Sequence, residues 1–106
     1  TGLLSYQECF TTIYNTLGQI FKYTIPAQMH IPAFQTLWGL TLASDSPFHP
    51  VSDEQVDRLV ENRLTKPLMF YDGETHRGMF ALPKYLRVGI QQEQRVNRDS
   101  SPVFMI

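Results

Sequence analysis

The sequence is poor in cysteine, in charge of either sign and in long apolar runs. Cys9 is the only cysteine among 106 residues, so no internal disulfide can form and no redox compartment is indicated. Nine Lys and Arg stand against ten Asp and Glu, a net charge of −1, with a pI near 6.2. The broad basic footprint of nucleic-acid or membrane-surface binders is therefore missing, and no nucleic-acid partner is expected. No apolar run reaches the ~20 residues that cross a bilayer. Thr1 to Gln7 lacks the basic and apolar regions of a signal peptide. The six glycines form neither G-x-G-x-x-G nor G-x-x-x-x-G-K-[ST], so no glycine loop cradles a dinucleotide or triphosphate. There is no G-x-S-x-G serine elbow. His30, His49, His76 and Cys9 do not match a zinc spacing, and no metal site is expected. Disorder is excluded by 42% hydrophobic residues at almost zero net charge. The length allows one domain or a piece of one.

Periodicity supplies the elements. Ser5-Tyr6-Gln7-Glu8 has the form of a capping box, and Tyr6, Phe10, Ile13, Leu17 and Ile20 follow at helical steps. This predicts a helix from about Tyr6 to Phe21. Ser52-Asp53-Glu54-Gln55 repeats the capping pattern ahead of Val56, Leu59, Val60 and Leu64, a second helix that stops before Lys66-Pro67. Between them the period becomes two. Tyr23, Ile25, Ala27, Met29 and Ile31 alternate with Thr24, Pro26, Gln28 and His30, which predicts a half-buried strand, and Pro26 places it at an edge or a bulge. Leu37 to Ala43 predicts a second strand, and so short a link implies antiparallel pairing. Asp72-Gly73 reads as a turn, Glu74 to Ala81 as a helical turn, and Pro83 opens a short helix to about Val88. Residues 91–106 form a polar tail beyond a unit spanning 1–90. Two strands make a poor sheet alone, so the chain reads as the closing, C-terminal end of a larger α/β sheet.

The chemistry-bearing residues are few. Asp53, Glu54, Asp57 and Glu61 read as a solvated helix face with Glu54 and Arg58 spaced to pair. Cys9 reads as a small buried hydrophobe, and His76 as a hydrogen-bonded packing residue. The link from Ile31 to Trp38 gathers Phe34, Gln35 and Trp38 at a sheet end. Two readings stand there: aromatic faces that hold a cation or an aliphatic amine, and a Trp38 that caps the core.

Three segments carry a family likeness. Ile31-Pro32-Ala33-Phe34, Trp38-Gly39-Leu40-Thr41-Leu42-Ala43-Ser44 and Tyr71-Asp72-Gly73-Glu74-Thr75-His76-Arg77-Gly78-Met79-Phe80-Ala81-Leu82-Pro83-Lys84-Tyr85-Leu86 resemble the C-terminal third of polyamine aminopropyltransferases, the spermidine synthase family. The resemblance runs in order from Ser5 to Leu86. It implies a methyltransferase-like, Rossmann-type sheet, of which this chain supplies a helix, an antiparallel strand pair and short C-terminal helices. It also implies aminopropyl transfer from decarboxylated S-adenosylmethionine to a diamine, releasing methylthioadenosine. The family's nucleotide-binding glycine motif and catalytic aspartates lie upstream of the matched region. The chain alone is thus expected to hold no cofactor and to be inactive.

By the same resemblance Trp38 falls where some members line the amine site. Phe34 falls where tyrosine is usual, keeping the ring and losing the hydroxyl, while Gln35 shares the link without a clear counterpart. These three are the substrate-binding expectation, and no catalytic residue is expected here. The tail from Arg95 to Phe104 resembles the ending of members fused to membrane-spanning segments, which implies a membrane-associated parent for an otherwise cytoplasmic enzyme. The apolar surface left by a missing sheet implies self-association of the isolated chain. Two alternatives stand beside this reading: a non-catalytic interaction or assembly module, and a piece of another S-adenosylmethionine-dependent methyltransferase.

Overall fold

A computed structural model describes residue 3 and residues 7–103. The order is α1 (Gln7–Ile20), β1 (Tyr23–Ile31), a 3-10 turn (Pro32–Phe34), β2 (Thr36–Ser44), α2 (Asp53–Arg63), α3 (Gly73–Met79) and α4 (Lys84–Gln92). A helix leading into an antiparallel strand pair and then short helices is a partial Rossmann-like α/β arrangement. The capping box expected at Ser5 and the helix start at Tyr6 lie outside the described residues, as do Phe104 to Ile106.

β1 and β2 pair residue for residue from Tyr23↔Ser44 to Ile31↔Thr36. Pro26 faces Thr41 with no slip of register, so it sits in an edge strand rather than at a bulge. Directly opposed residues share a face. One face therefore carries Ile25, Ala27 and Met29 with Leu42, Leu40 and Trp38, and the other carries Gln28 and His30 with Gly39 and Leu37.

The core lies on the second face, the one that alternation marks as polar. Leu3, Phe10, Leu82 and Leu86 form it, with Leu37 and Ile90 packed against them. The reason is Gly39. A Cβ there would stand 2.5 Å from a Phe10 ring carbon, so the missing side chain is the space that lets α1 settle on β2. On the supposedly apolar face Ala27 alone is buried, and Leu40 and Leu42 are exposed.

α1 is likewise buried differently from its apolar stripe. Cys9, Phe10, Thr11 and Thr12 are buried, whereas Ile20 is 70% exposed. Two layers explain this: Phe10 enters the core while Thr11 and Thr12 donate to the Glu93 carboxylate at 3.0 and 2.7 Å. In α2 the Ser52 box forms as expected, Gln55 N donating to Ser52 Oγ and Ser52 N to Gln55 Oε1. Val56 is buried there, but Leu59 and Leu64 are exposed. α4 runs on to Gln92, beyond the expected Val88, because Leu86 and Ile90 repeat the helical step into the core.

Candidate functional site

The link between the strands is built from backbone chemistry. Pro32 opens a single 3-10 turn, where its fixed φ suits the first position. Gln35 then closes the turn in the left-handed region, at φ 54 and ψ 30, its N–H donating to Pro32 O. It is the only non-glycine residue with positive φ among those described, a conformation that costs an L-residue about 1–2 kcal/mol. The ladder holds both sides of the link, Ile31 against Thr36 and Met29 against Trp38. Within that frame the Phe34 and Trp38 rings approach to 4.6 Å between centroids, tilted by 34°.

Phe34 is 54% exposed, and Trp38 is half-buried and outside the core. The expected trio is thus assembled on one hairpin tip: two rings in contact, with Gln35 exposed between them in the chain. None of the three carries an ionisable group, so the tip can bind but cannot move a proton. Beside it, Met29, Leu37, Phe70 and Met79 line a cleft of about 280 Å3.

A second cluster lies where α2 meets α3. Asp72 caps α3, accepting from Thr75 N at 2.8 Å, and the amide and hydroxyl of Thr75 hold its carboxyl below the ordinary value. Asp57 Oδ1 accepts from Gly73 N at 2.8 Å. Arg77 reaches Asp53 at 3.1 Å, and that carboxylate raises the guanidinium pKa. Asp53 and Asp57, read from sequence as solvated, therefore fasten one helix to the other, and Asp72-Gly73 is a helix start rather than a free turn. The Tyr71 hydroxyl and His76 Nδ1 are hydrogen-bonded at 2.6 Å, and the His76 ring stands edge-on to Phe80 at 5.1 Å.

The Tyr71–His76 pair was not singled out from sequence. The signal was a capping Asp72 between them, which starts a helix turn that folds position 76 back towards 71. His76 and Phe80 also border a cleft of about 510 Å3 with Ile25, Leu42, Phe48 and Val51. Among the described residues no three His, Cys, Asp or Glu side chains are placed to share a metal ion, and no helix is long and apolar enough to cross a membrane.

Comparison with known proteins gives the family likeness independently. No family model matches the chain. A polyamine aminopropyltransferase of Sulfolobus acidocaldarius is 40% identical over 98 residues, covering 91% of this chain and 32% of the relative. One from Sulfurisphaera tokodaii is 38% identical over the same shares. A thermospermine synthase of Arabidopsis thaliana is 33% identical over 104 residues, 98% of this chain and 30% of its own length. The chain is similar to polyamine aminopropyltransferases along nearly all of its length, and it spans about a third of the relatives it matches.

Proposed function

We propose that this chain is the C-terminal part of a polyamine aminopropyltransferase with a methyltransferase-like fold, and that Phe34, Gln35 and Trp38 wall the site that holds the acceptor amine. The reaction is aminopropyl transfer from decarboxylated S-adenosylmethionine to a diamine. An unprotonated amine nitrogen attacks the carbon beside the sulfonium, the C–N bond forms as the C–S bond breaks, and methylthioadenosine leaves while the new ammonium sheds a proton. The observation that carries the reading is the Phe34–Trp38 ring pair on a link whose sequence resembles that of the aminopropyltransferases. Ring faces attract a cation or lie along an aliphatic chain, and a wall that fixes the amine's direction converts encounter into reaction.

The chain's surface supports the view that it is one part of a larger sheet. It exposes 7780 Å2, where a compact protein of 12.3 kDa exposes about 6,100 Å2. Its radius of gyration is 15.4 Å against about 13 Å for a compact chain of this length. Among the exposed apolar side chains are Leu40 and Leu42 on β2 and the run Leu68, Met69 and Phe70. On this reading the nucleotide-binding and catalytic groups are supplied by the remainder of the enzyme, and the chain alone does not turn over.

The test is made on the full-length protein. It should form methylthioadenosine from decarboxylated S-adenosylmethionine and a diamine, and no product with any diamine would refute the activity. Trp38→Ala should raise the amine KM by about 5- to 30-fold, the size of a partly desolvated cation–π contact, with donor affinity unchanged. Equal loss of donor binding would make Trp38 a structural residue.

A further inference from the structure

We propose that Glu93–Asn97 is a latch: the Glu93 carboxylate gathers Thr11, Thr12 and Arg95, locking the chain beyond α4 along α1, and loss of that one negative charge frees the segment while the helices stay folded. The inference is independent of the proposed activity.

The Glu93 side chain is only 8% exposed. Its Oε1 accepts from Thr11 Oγ1 at 3.0 Å and Thr12 Oγ1 at 2.7 Å, and Arg95 closes on the same carboxylate at 2.9 Å. Arg95 also reaches Glu8 at 3.2 Å. Asn15 Nδ2 donates to Arg95 O at 2.8 Å, and Asn97 N donates to Thr16 Oγ1 at 2.8 Å. Glu8, Thr11, Thr12, Asn15 and Thr16 fall at helical steps on one face of α1. This polar stripe runs beside the apolar one, and the segment after α4 reads it turn by turn.

Of these contacts only those at Glu93 hold a buried charge, which is why they dominate. Hydrogen bonds to a charged group are stronger than neutral ones. A glutamine here keeps one acceptor oxygen for Thr11 and Thr12, Thr11 Oγ1 also reaching Glu8 O at 3.2 Å, but it removes the charge that strengthens those bonds and turns an NH2 donor towards the Arg95 guanidinium. The charged groups facing Glu93 are Arg95 from its own segment and, across Arg95, Glu8 from α1. Burial pushes the carboxyl up, but the bonds from Arg95, Thr12 and Thr11 outweigh it and hold it below the ordinary range. The latch is therefore closed at neutral pH.

In the full-length protein at neutral pH, Glu93→Gln should speed tryptic cleavage after Arg95 by at least about tenfold, the worth of one charge-assisted hydrogen bond, with cleavage after Arg63 unchanged. Hydrogen exchange at the Asn97 amide should rise in step. Unchanged cleavage after Arg95, or an equal rise after Arg63, overturns the latch. Should Glu93→Gln fail to fold, Arg95→Gln removes the more exposed half of the pair, and the absence of faster exchange at Asn97 in that variant overturns it equally.

Discussion

Two alanine substitutions in one short helix should act with opposite sign. Gly73 opens α3 and Gly78 lies near its end. At Gly73 an added Cβ would stand 2.1 Å from Asp53 O and 2.5 Å from Asp53 Cα. These are backbone atoms at the start of α2, so no side-chain rotation can make room. Overpacking of this kind costs about 1–3 kcal/mol. Moving α3 away also stretches the bond from Gly73 N to Asp57, and hydrogen bonds to charged groups contribute about 1.5–3 kcal/mol. The exposed Arg77–Asp53 pair adds about 0–1 kcal/mol at most. Against this stands the helix preference for alanine over glycine, about 1 kcal/mol in a helix interior and less at its first position. Gly73→Ala should therefore destabilise by roughly 2–4 kcal/mol.

At Gly78 nothing lies within 4 Å of the added carbon, and only the propensity gain remains. Gly78→Ala should stabilise by roughly 0.5–1 kcal/mol. Denaturant titration with an unchanged m value measures both. Two variants shifting the midpoint in the same direction would refute the claim that Gly73 is the contact surface of α2 and α3.

Gly39→Ala should destabilise by about 1–3 kcal/mol, because its Cβ would meet Phe10 at 2.5 Å and Leu3 at 2.7 Å. Thermal melting reads the loss, and the double variant with Phe10→Leu should recover part of it. Because the Glu93 carboxyl is held low in the folded state, its contribution is present above the unfolded value of about 4.3 and is lost as pH falls through the lower folded value. Acid titration of stability should show this loss in the wild type, and Glu93→Gln should lack that component. If the ring pair lies along the aliphatic stem of the amine, each buried methylene is worth about 0.8 kcal/mol, or about fourfold in affinity. The amine KM of the full-length enzyme should fall by up to that factor per added methylene and lose this dependence in Trp38→Ala; an unchanged slope would remove Trp38 from the wall.

What was legible in the sequence was local. The Ser52–Gln55 box, the two strands with their tight link and the gathering of Phe34, Gln35 and Trp38 follow from residues close in sequence, where periodicity and turn chemistry act. The inner face of the sheet was not legible. Alternation shows that the two faces differ, but Gly39 and Leu37 made the nominally polar face the one that α1 could reach. The bonds that Thr11 and Thr12 donate to Glu93 join positions more than 80 apart, and neither end carries a motif. Asp53 and Asp57 looked solvated for the same reason, their partners Arg77 and Gly73 lying on another helix. Likewise, nothing in the type of residue announces that Gln35 turns left-handed; the ladder on either side imposes it.

On the proposed reading, the hairpin tip also limits how recognition can be divided. Its backbone is held before any ligand arrives, by continuous pairing from Met29–Trp38 to Ile31–Thr36 and by a Gln35 conformation that both strands constrain. A wall of that kind selects shape and apolar length at little ordering cost. It does not select charge strongly, since a ring face attracts a cation by about 0.5–2 kcal/mol, far less than a carboxylate in a closed site. None of the described acidic side chains makes a hydrogen bond or ion pair with the segment from Phe34 to Trp38; Asp53 and Asp57 of α2 bind α3, and Asp72 caps it. On the proposed reading, the acids that orient an ammonium and receive its proton would be supplied by the rest of the full-length protein. Separating length selection from charge selection in this way predicts independent losses, so that the wall and the acids can each be removed without abolishing what the other contributes.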